Sequence, residues 1–126
     1  ICVMPFYSTS DRDTGKLSVQ FPEFVPSTSL VGPPGATHFR IITSAAELDF
    51  EKNKYMLNES RTPSLLYDDA ESAGFTLDIS ITPNTKQAFI HLLGVEFYQE
   101  VNGKMYLLHD SSFVPLGVIH AESAVA

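Results

Sequence analysis

The chain has one cysteine, no tryptophan and few basic residues, and each shortage excludes a class of protein. Cys2 alone can form neither an intramolecular disulfide nor a thiolate cluster for a metal. Eight Lys and Arg residues against fifteen Asp and Glu residues give a net charge of −7, and no basic cluster interrupts that balance. Phosphate backbones would be repelled, so we expect no nucleic-acid partner.

Long apolar runs and the usual catalytic motifs are also missing. No stretch approaches the ~20 apolar residues of a membrane span, so we expect no membrane insertion. There is no G-x-S-x-G, no glycine-rich phosphate loop and no H-E-x-x-H. His109, Asp110 and Ser111 are adjacent, and neighbouring side chains of a strand point to opposite faces, so they cannot form a triad. We expect a protein that is not an enzyme, with no catalytic residue and no cofactor.

The strongest pattern is a hairpin between residues 95 and 109. Asn102-Gly103 separates two runs rich in apolar and aromatic residues. A type I′ turn needs positive φ at both central residues, which Asn and Gly tolerate best. This turn predicts that Val101 faces Lys104 and Tyr98 faces Leu107; it also places Phe97 opposite Leu108 and Glu96 opposite His109.

Alternation of apolar and polar residues predicts further strands. It is clearest at residues 16–21, which end at Pro22, and at residues 75–82; it is shorter at residues 38–41. Residues 89–95 are apolar on both faces, as in a central strand, and residues 116–119 form a last strand after a turn at residues 110–112. The predicted core comprises Phe75, Leu77, Ile79, Phe89, Leu93, Val95 and Phe97.

Residues 44–57 allow two interpretations. Ser44 and Glu47 have the spacing of a helix capping box. Ala46, Leu48 and Phe50, however, alternate with acidic residues, and only a strand places these three on one face. We predict a strand that turns at residues 52–53, with Glu47, Asp49 and Glu51 on its outer, solvated face; a short helix is the alternative.

Together these segments predict an all-β fold, an antiparallel two-sheet sandwich of about seven to nine strands. The length suits one domain, residues 1–126. Residues 1–15 form a possible edge-strand arm, in which an apolar run at residues 1–7 precedes a polar turn at residues 8–15. Residues 22–37 form a proline-rich loop, because proline removes a donor from the ladder.

Three segments resemble uncharacterised β-domain proteins of Bacteroidota-type bacteria: residues 36–42, residues 46–50 and residues 93–103. The resemblance extends over about residues 30–121. It implies an immunoglobulin- or fibronectin-like sandwich and no assigned catalytic residues.

Five carboxylates are candidate metal ligands. Asp11 and Asp13 have the D-x-D-x-G spacing of a calcium loop, but the later glutamate is missing and Arg12 stands between them. Asp68, Asp69 and Glu71 offer three carboxylates without a distal partner. Exposed acidic turns are the alternative for both groups, and the metal is unknown.

Two classes of function remain. The first is a structural or protein-interaction module of a cell surface or extracellular assembly, which binds copies of itself or neighbouring surface proteins and can extend into a fibre. Its basis is the all-β pattern, the acidic balance and the apolar segment at residues 1–7, which can close its own sheet or add a strand to another subunit. The alternative is a module that binds a glycan or a divalent cation, based on the acidic loops and on five tyrosines: Tyr7, Tyr55, Tyr67, Tyr98 and Tyr106.

Overall fold

The computed structural model describes residues 6–30, 32–108 and 114–123, with residues 114–118 described by backbone alone. Strands account for 60% of the residues and helix for 4%. Their bounds are β1 Tyr7–Asp11, β2 Lys16–Phe21, β3 His38–Asp49, β4 Lys54–Arg61, β5 Leu65–Leu66, β6 Phe75–Ser80, β7 Ala88–Val101, β8 Lys104–Leu107 and β9 Val114–Glu122. One four-residue helix, α1, covers Pro26–Ser29.

The strands form two antiparallel sheets arranged as a sandwich, which confirms the predicted all-β class and the expected number of strands. The smaller sheet has the order β1-β2-β6. The larger has the order β4-β3-β7-β8, with β5 also paired to β3 and β9 also paired to β7. The larger sheet is strongly curled, and β3 and β7 form its centre.

The core between the sheets follows the predicted alternation. Leu17, Val19 and Phe21 of β2 are buried against the inner face of β7 and β3. All predicted core residues are buried except Phe75, which is half-buried with its ring 4.8 Å from that of Phe21. Because four of the five inward positions of β7 from Phe89 to Phe97 carry a large apolar residue and the fifth carries His91, one strand supplies much of the contact between the sheets.

The predicted hairpin is confirmed in turn type and in register. Asn102 has φ 52° and Gly103 has φ 81°, the positive values that a type I′ turn requires. Val101 pairs with Lys104, and Tyr98 with Leu107. The expected partner of Glu96, His109, lies outside the described residues.

The strand interpretation of residues 44–49 is confirmed, and the helix alternative is wrong, because this segment continues β3. The face assignment is wrong. Glu47 is buried, whereas Phe50 is 74% exposed. The reason is non-local: β3 runs from His38 without a bulge, so the inward-facing Phe39 fixes every odd-numbered residue on the core side.

The predicted polar turn at residues 8–15 is also wrong in its first half. Ser8, Thr9, Ser10 and Asp11 belong to β1 and pair antiparallel with β2, so the turn covers residues 12–15 only. An edge strand with both faces exposed needs no apolar alternation, so its sequence resembles that of a turn. Residues 1–5 lie outside the described part, as does the predicted turn at residues 110–112.

The proline-rich loop packs on the sandwich rather than joining a sheet. Tyr67 fastens this loop to the sandwich through two hydrogen bonds. Its hydroxyl donates to the carbonyl of Leu30 over 2.6 Å and accepts from the amide of Gly32 over 2.9 Å. The predicted last strand at residues 116–119 lies within β9. Among the described residues, no helix is long and apolar enough to cross a membrane.

Candidate interaction surface

Asp11 and Asp13 lie where β1 turns into β2, and their contacts are those of a turn. Asp11 Oδ1 accepts from the amide of Asp13 over 3.0 Å, and the Asp11 carbonyl accepts from the amide of Gly15 over 2.8 Å. Gly15 has φ 74°, and a Cβ there would lie 2.3 Å from the carbonyl oxygen of Ile81. The glycine of the D-x-D-x-G spacing therefore allows close packing of the turn against the segment after β6.

Arg12, between the two aspartates, holds one end of the sandwich together. Its guanidinium donates to the carbonyls of Thr85, Gln87 and Ser123 over 2.8–2.9 Å and pairs with Glu122 at 3.3 Å. It thereby links the β1–β2 turn to the start of β7 and the end of β9. A cation at this position works against a calcium site between its neighbours.

Asp68, Asp69 and Glu71 lie in the loop between β5 and β6. Asp68 Oδ1 accepts from the amide of Ala70 over 3.1 Å, and Asp69 Oδ1 accepts from Ser27 Oγ over 2.5 Å. The carboxyl of Glu23 hydrogen-bonds to that of Glu71 and raises the pKa of Glu71.

Neither acidic group forms a cage with other ligands. Over residues 6–30, 32–108 and 114–123, no group of three or more His, Cys, Asp or Glu side chains is arranged to hold a metal ion. The five candidate carboxylates are thus divided between two separate turns.

His91 is a core histidine with one unsatisfied nitrogen. The hydroxyl of Thr43 donates its proton to the carbonyl of Leu92 over 3.0 Å. His91 Nε2 lies 2.7 Å from the Thr43 hydroxyl oxygen, so Nε2 must donate to that oxygen. Nδ1 is then an acceptor, and it finds no partner among the described residues. Burial, with a smaller contribution from His120 on β9, lowers the pKa of His91 to about 4.

The outer face of the larger sheet is apolar over one half. On this face Leu48 lies between Tyr55 and Ala88, and Ala46 lies between Leu57 and Ile90. We call these six residues the apolar face. Tyr55 is 70% exposed and Leu57 is 58% exposed, and the other four are half-buried. A shallow depression of about 330 Å³ adjoins them, with Phe50 on its rim.

The other half of the outer face carries polar and charged residues, and its charged side chains pair with one another. Arg61 lies 2.5 Å from Glu59 and 3.3 Å from Glu96, and Tyr98 donates to Glu96 over 2.8 Å. The hydrogen bond that Arg61 donates to Glu59 raises the pKa of Arg61. These charges are therefore paired within the chain.

The apolar face ends at β4, which is the edge of the larger sheet. β4 pairs with β3 on one side, and no described strand pairs with its other side. Seven of its eight residues are exposed. Its register with β3 runs unbroken from Ile42–Arg61 to Asp49–Lys54, without bulge or proline, so β4 lacks two features that commonly protect an edge.

The direction of the free backbone groups follows from the register. The amide of Thr62 donates to the carbonyl of Ile41 over 3.0 Å, so even-numbered residues of this strand direct their backbone groups towards β3. Odd-numbered residues must direct theirs away from the sheet. Tyr55, Leu57 and Glu59 therefore present N–H and C=O groups at the edge that no described strand pairs.

Two other free edges, those of β1 and β8, are weaker candidates. β1 has five residues, of which Ser8, Thr9, Ser10 and Asp11 are polar, and β8 has four residues. Tyr7 is exposed on β1 and Tyr106 on β8, whereas Tyr67 packs at 5.3 Å from Phe97. The tyrosines considered as glycan platforms are thus spread over separate elements and form no common surface.

The sequence interpretation missed the apolar face because it assigned the wrong side of β3 to the core. The sequence did contain a signal: in an unbroken strand that places Phe39 in the core, only odd-numbered residues face the core, which excludes Leu48. No family model, no curated protein and no solved structure matches the chain. The chain's own surface therefore carries the information about its function.

Proposed function

We propose that the chain is a non-catalytic β-module that works by contact with other protein, at a cell surface or in an extracellular assembly. The observation that carries the proposal is β4: an eight-residue edge strand with Tyr55, Met56 and Leu57 exposed in succession. Unpaired N–H and C=O groups bind an added strand, and an adjoining apolar surface gains from being covered.

The rest of the molecule is consistent with a contact role. Two polar residues have structural positions: Arg12 links the two sheets, and His91 is buried in the core. We also propose that the sandwich is of the immunoglobulin or fibronectin type and is related to Bacteroidota-type β-domain proteins. Two antiparallel sheets of nine strands support this, although the strong curl of the larger sheet is an addition to that plan.

Measurement of molar mass against protein concentration tests the proposal. We expect species larger than the monomer to form at high concentration, and Leu57→Lys to reduce them by placing a charge on the apolar face. Leu66→Lys is the matched control, because Leu66 is 61% exposed on β5, against 58% for Leu57, and lies outside the apolar face. A wild-type chain that stays monomeric and binds no other protein through this face would overturn the proposal.

Glycan binding is the second candidate, because Tyr55 borders a depression of about 310 Å³ that also contains Glu47, Asp49 and Gln87. An exposed aromatic ring beside polar groups is a common sugar-binding arrangement. A glycan array with wild type and Tyr55→Ala separates the two candidates. Signals lost in the variant would favour the glycan; an empty array favours protein contact. A calcium titration monitored by thermal unfolding tests a divalent cation in the same way.

A further inference from the structure

We propose that the partner of β4 is β4 of a second copy of this chain, paired antiparallel about a two-fold axis at Met56. This inference rests on the proposed function and names its partner. A two-fold axis perpendicular to the sheet keeps the outer faces of both copies on one side. Facing residues must lie on the same face of the sheet, so odd-numbered residues of one copy face odd-numbered residues of the other. The axis must therefore pass through a residue and not between two residues.

The backbone fits this arrangement. With the axis at Met56, Tyr55 of each copy faces Leu57 of the other. These residues direct their free N–H and C=O groups outwards, so the two Tyr55–Leu57 pairs would exchange about four hydrogen bonds. Met56 directs its backbone groups towards β3 and would face its counterpart as a non-hydrogen-bonded pair, with Cα atoms about 4.5 Å apart.

The side chains favour the same register. The uncharged run of Tyr55, Met56 and Leu57 meets its own copy, so apolar groups face apolar groups at every central position. Lys54 would face Asn58, and this pair is the last one that lies within the bounds of β4 in both copies. No two like charges face each other, although each copy carries a net charge of −7. A strand whose uncharged centre faces itself without a clash of charges fits a second copy as the occupant.

Pairing would also join the two apolar faces. Leu57 lies beside Ala46 and Ile90, and Tyr55 lies beside Leu48 and Ala88, in each copy. Across the axis, the Leu57 row of one copy continues into the Tyr55 row of the other. The dimer therefore presents one continuous apolar band, which neither copy presents alone.

A charge-swap experiment tests the axis, because only a residue on the axis faces itself. Met56→Lys and Met56→Glu are each expected to weaken self-association at least about tenfold, since like charges would meet ~4.5 Å apart. A one-to-one mixture of the two variants is expected to restore association. Met56 is 57% exposed, so both variants should fold, which circular dichroism checks. A mixture that associates no better than either variant alone would overturn the proposed axis.

Cysteine cross-linking gives an independent test. In a Cys2→Ser background, Met56→Cys should form a disulfide-linked dimer under mild oxidation, because the expected Cα separation lies within the range of disulfides. Met105→Cys is the control, since Met105 is 39% exposed on the edge strand β8. Cross-linking at residue 105 in preference to residue 56 would contradict the inference. If wild type associates but neither test succeeds at residue 56, the pairing is wrong and the proposed function stands.

Discussion

At the scale of single residues, the core depends on contacts made by a few large side chains. Phe97 is 2% exposed, lies opposite Phe39 on the neighbouring strand and meets the ring of Tyr67 edge-on at 5.3 Å. It therefore links β7, β3 and the loop that Tyr67 fastens. Removing such a side chain leaves a cavity as well as a loss of buried apolar area.

We expect Phe97→Ala to lower the free energy of unfolding by about 3–5 kcal/mol, measured by urea denaturation. Phe50→Ala is the matched control: Phe50 is 74% exposed, and its truncation should change the free energy of unfolding by less than about 0.5 kcal/mol. Equal effects of the two substitutions would show that the inner face of β7 is assigned incorrectly.

His91 should make stability depend on pH. Burial, followed by the charge of His120, lowers its pKa from 6.5 to about 4. The unfolded chain therefore binds a proton between pH 6.5 and pH 4 that the folded chain does not bind, so the free energy of unfolding falls as pH falls through that window. The full effect is roughly 3 kcal/mol.

His91→Leu tests this dependence. The hydroxyl of Thr43 keeps its bond to the carbonyl of Leu92, and the unpartnered Nδ1 is removed, so the variant should remain folded at pH 7. We expect its free energy of unfolding to be nearly constant between pH 6.5 and pH 4.5, where wild type loses stability. If the free energy of unfolding of the variant falls with pH as steeply as that of wild type, groups other than His91 cause the pH dependence.

The residue scale also shows where sequence reasoning stops. Alternation identified Val95 and Phe97 as core residues because a large apolar residue recurs at every second position. The same rule failed at Glu47, whose carboxylate accepts from the amide of Thr82 and the hydroxyl of Thr85. Those donors come from a segment about 35 residues further along the chain, and no local sequence pattern predicts this contact.

At the scale of elements, the β7–β8 hairpin depends on its turn. Gly103 has φ 81°, and a Cβ there would meet nothing within 4 Å, so a substitution acts through backbone strain alone. We expect Gly103→Val to lower the free energy of unfolding by about 1–2 kcal/mol. Gly103→Asn is the control, because Asn tolerates positive φ and should cost less than half as much. Equal costs would contradict the type I′ turn.

Elements differ in how far the sequence determines them. The Asn-Gly turn fixes its own geometry, so both its dihedral angles and its register could be predicted. The edge position of β4 depends on which strands pair with β3, and residues 54–61 carry no local sign of it. β1 shows the same limit, since Ser8 and Thr9 look like a turn but pair in a sheet.

At the scale of the whole molecule, charge opposes assembly. Each copy carries a net charge of −7, so two copies repel at long range, while the proposed β4 contact is largely uncharged. Salt screens exposed charges beyond roughly 10 Å at 0.1 M. We therefore expect self-association, measured by sedimentation, to strengthen as NaCl rises from 0.02 to about 0.5 M. Weakening by salt would mean that ion pairs, rather than backbone and apolar contacts, hold the copies together.

The most direct test of the account is amide hydrogen exchange along β4, followed by NMR at low and high protein concentration. The amides of Met56 and Asn58 bond to β3 within one copy, so their protection should not change with concentration. The amides of Tyr55 and Leu57 point out of the sheet, and we expect their protection to rise as the copies pair. Equal exchange of these outward amides at both concentrations would contradict the claim that β4 is the contact element.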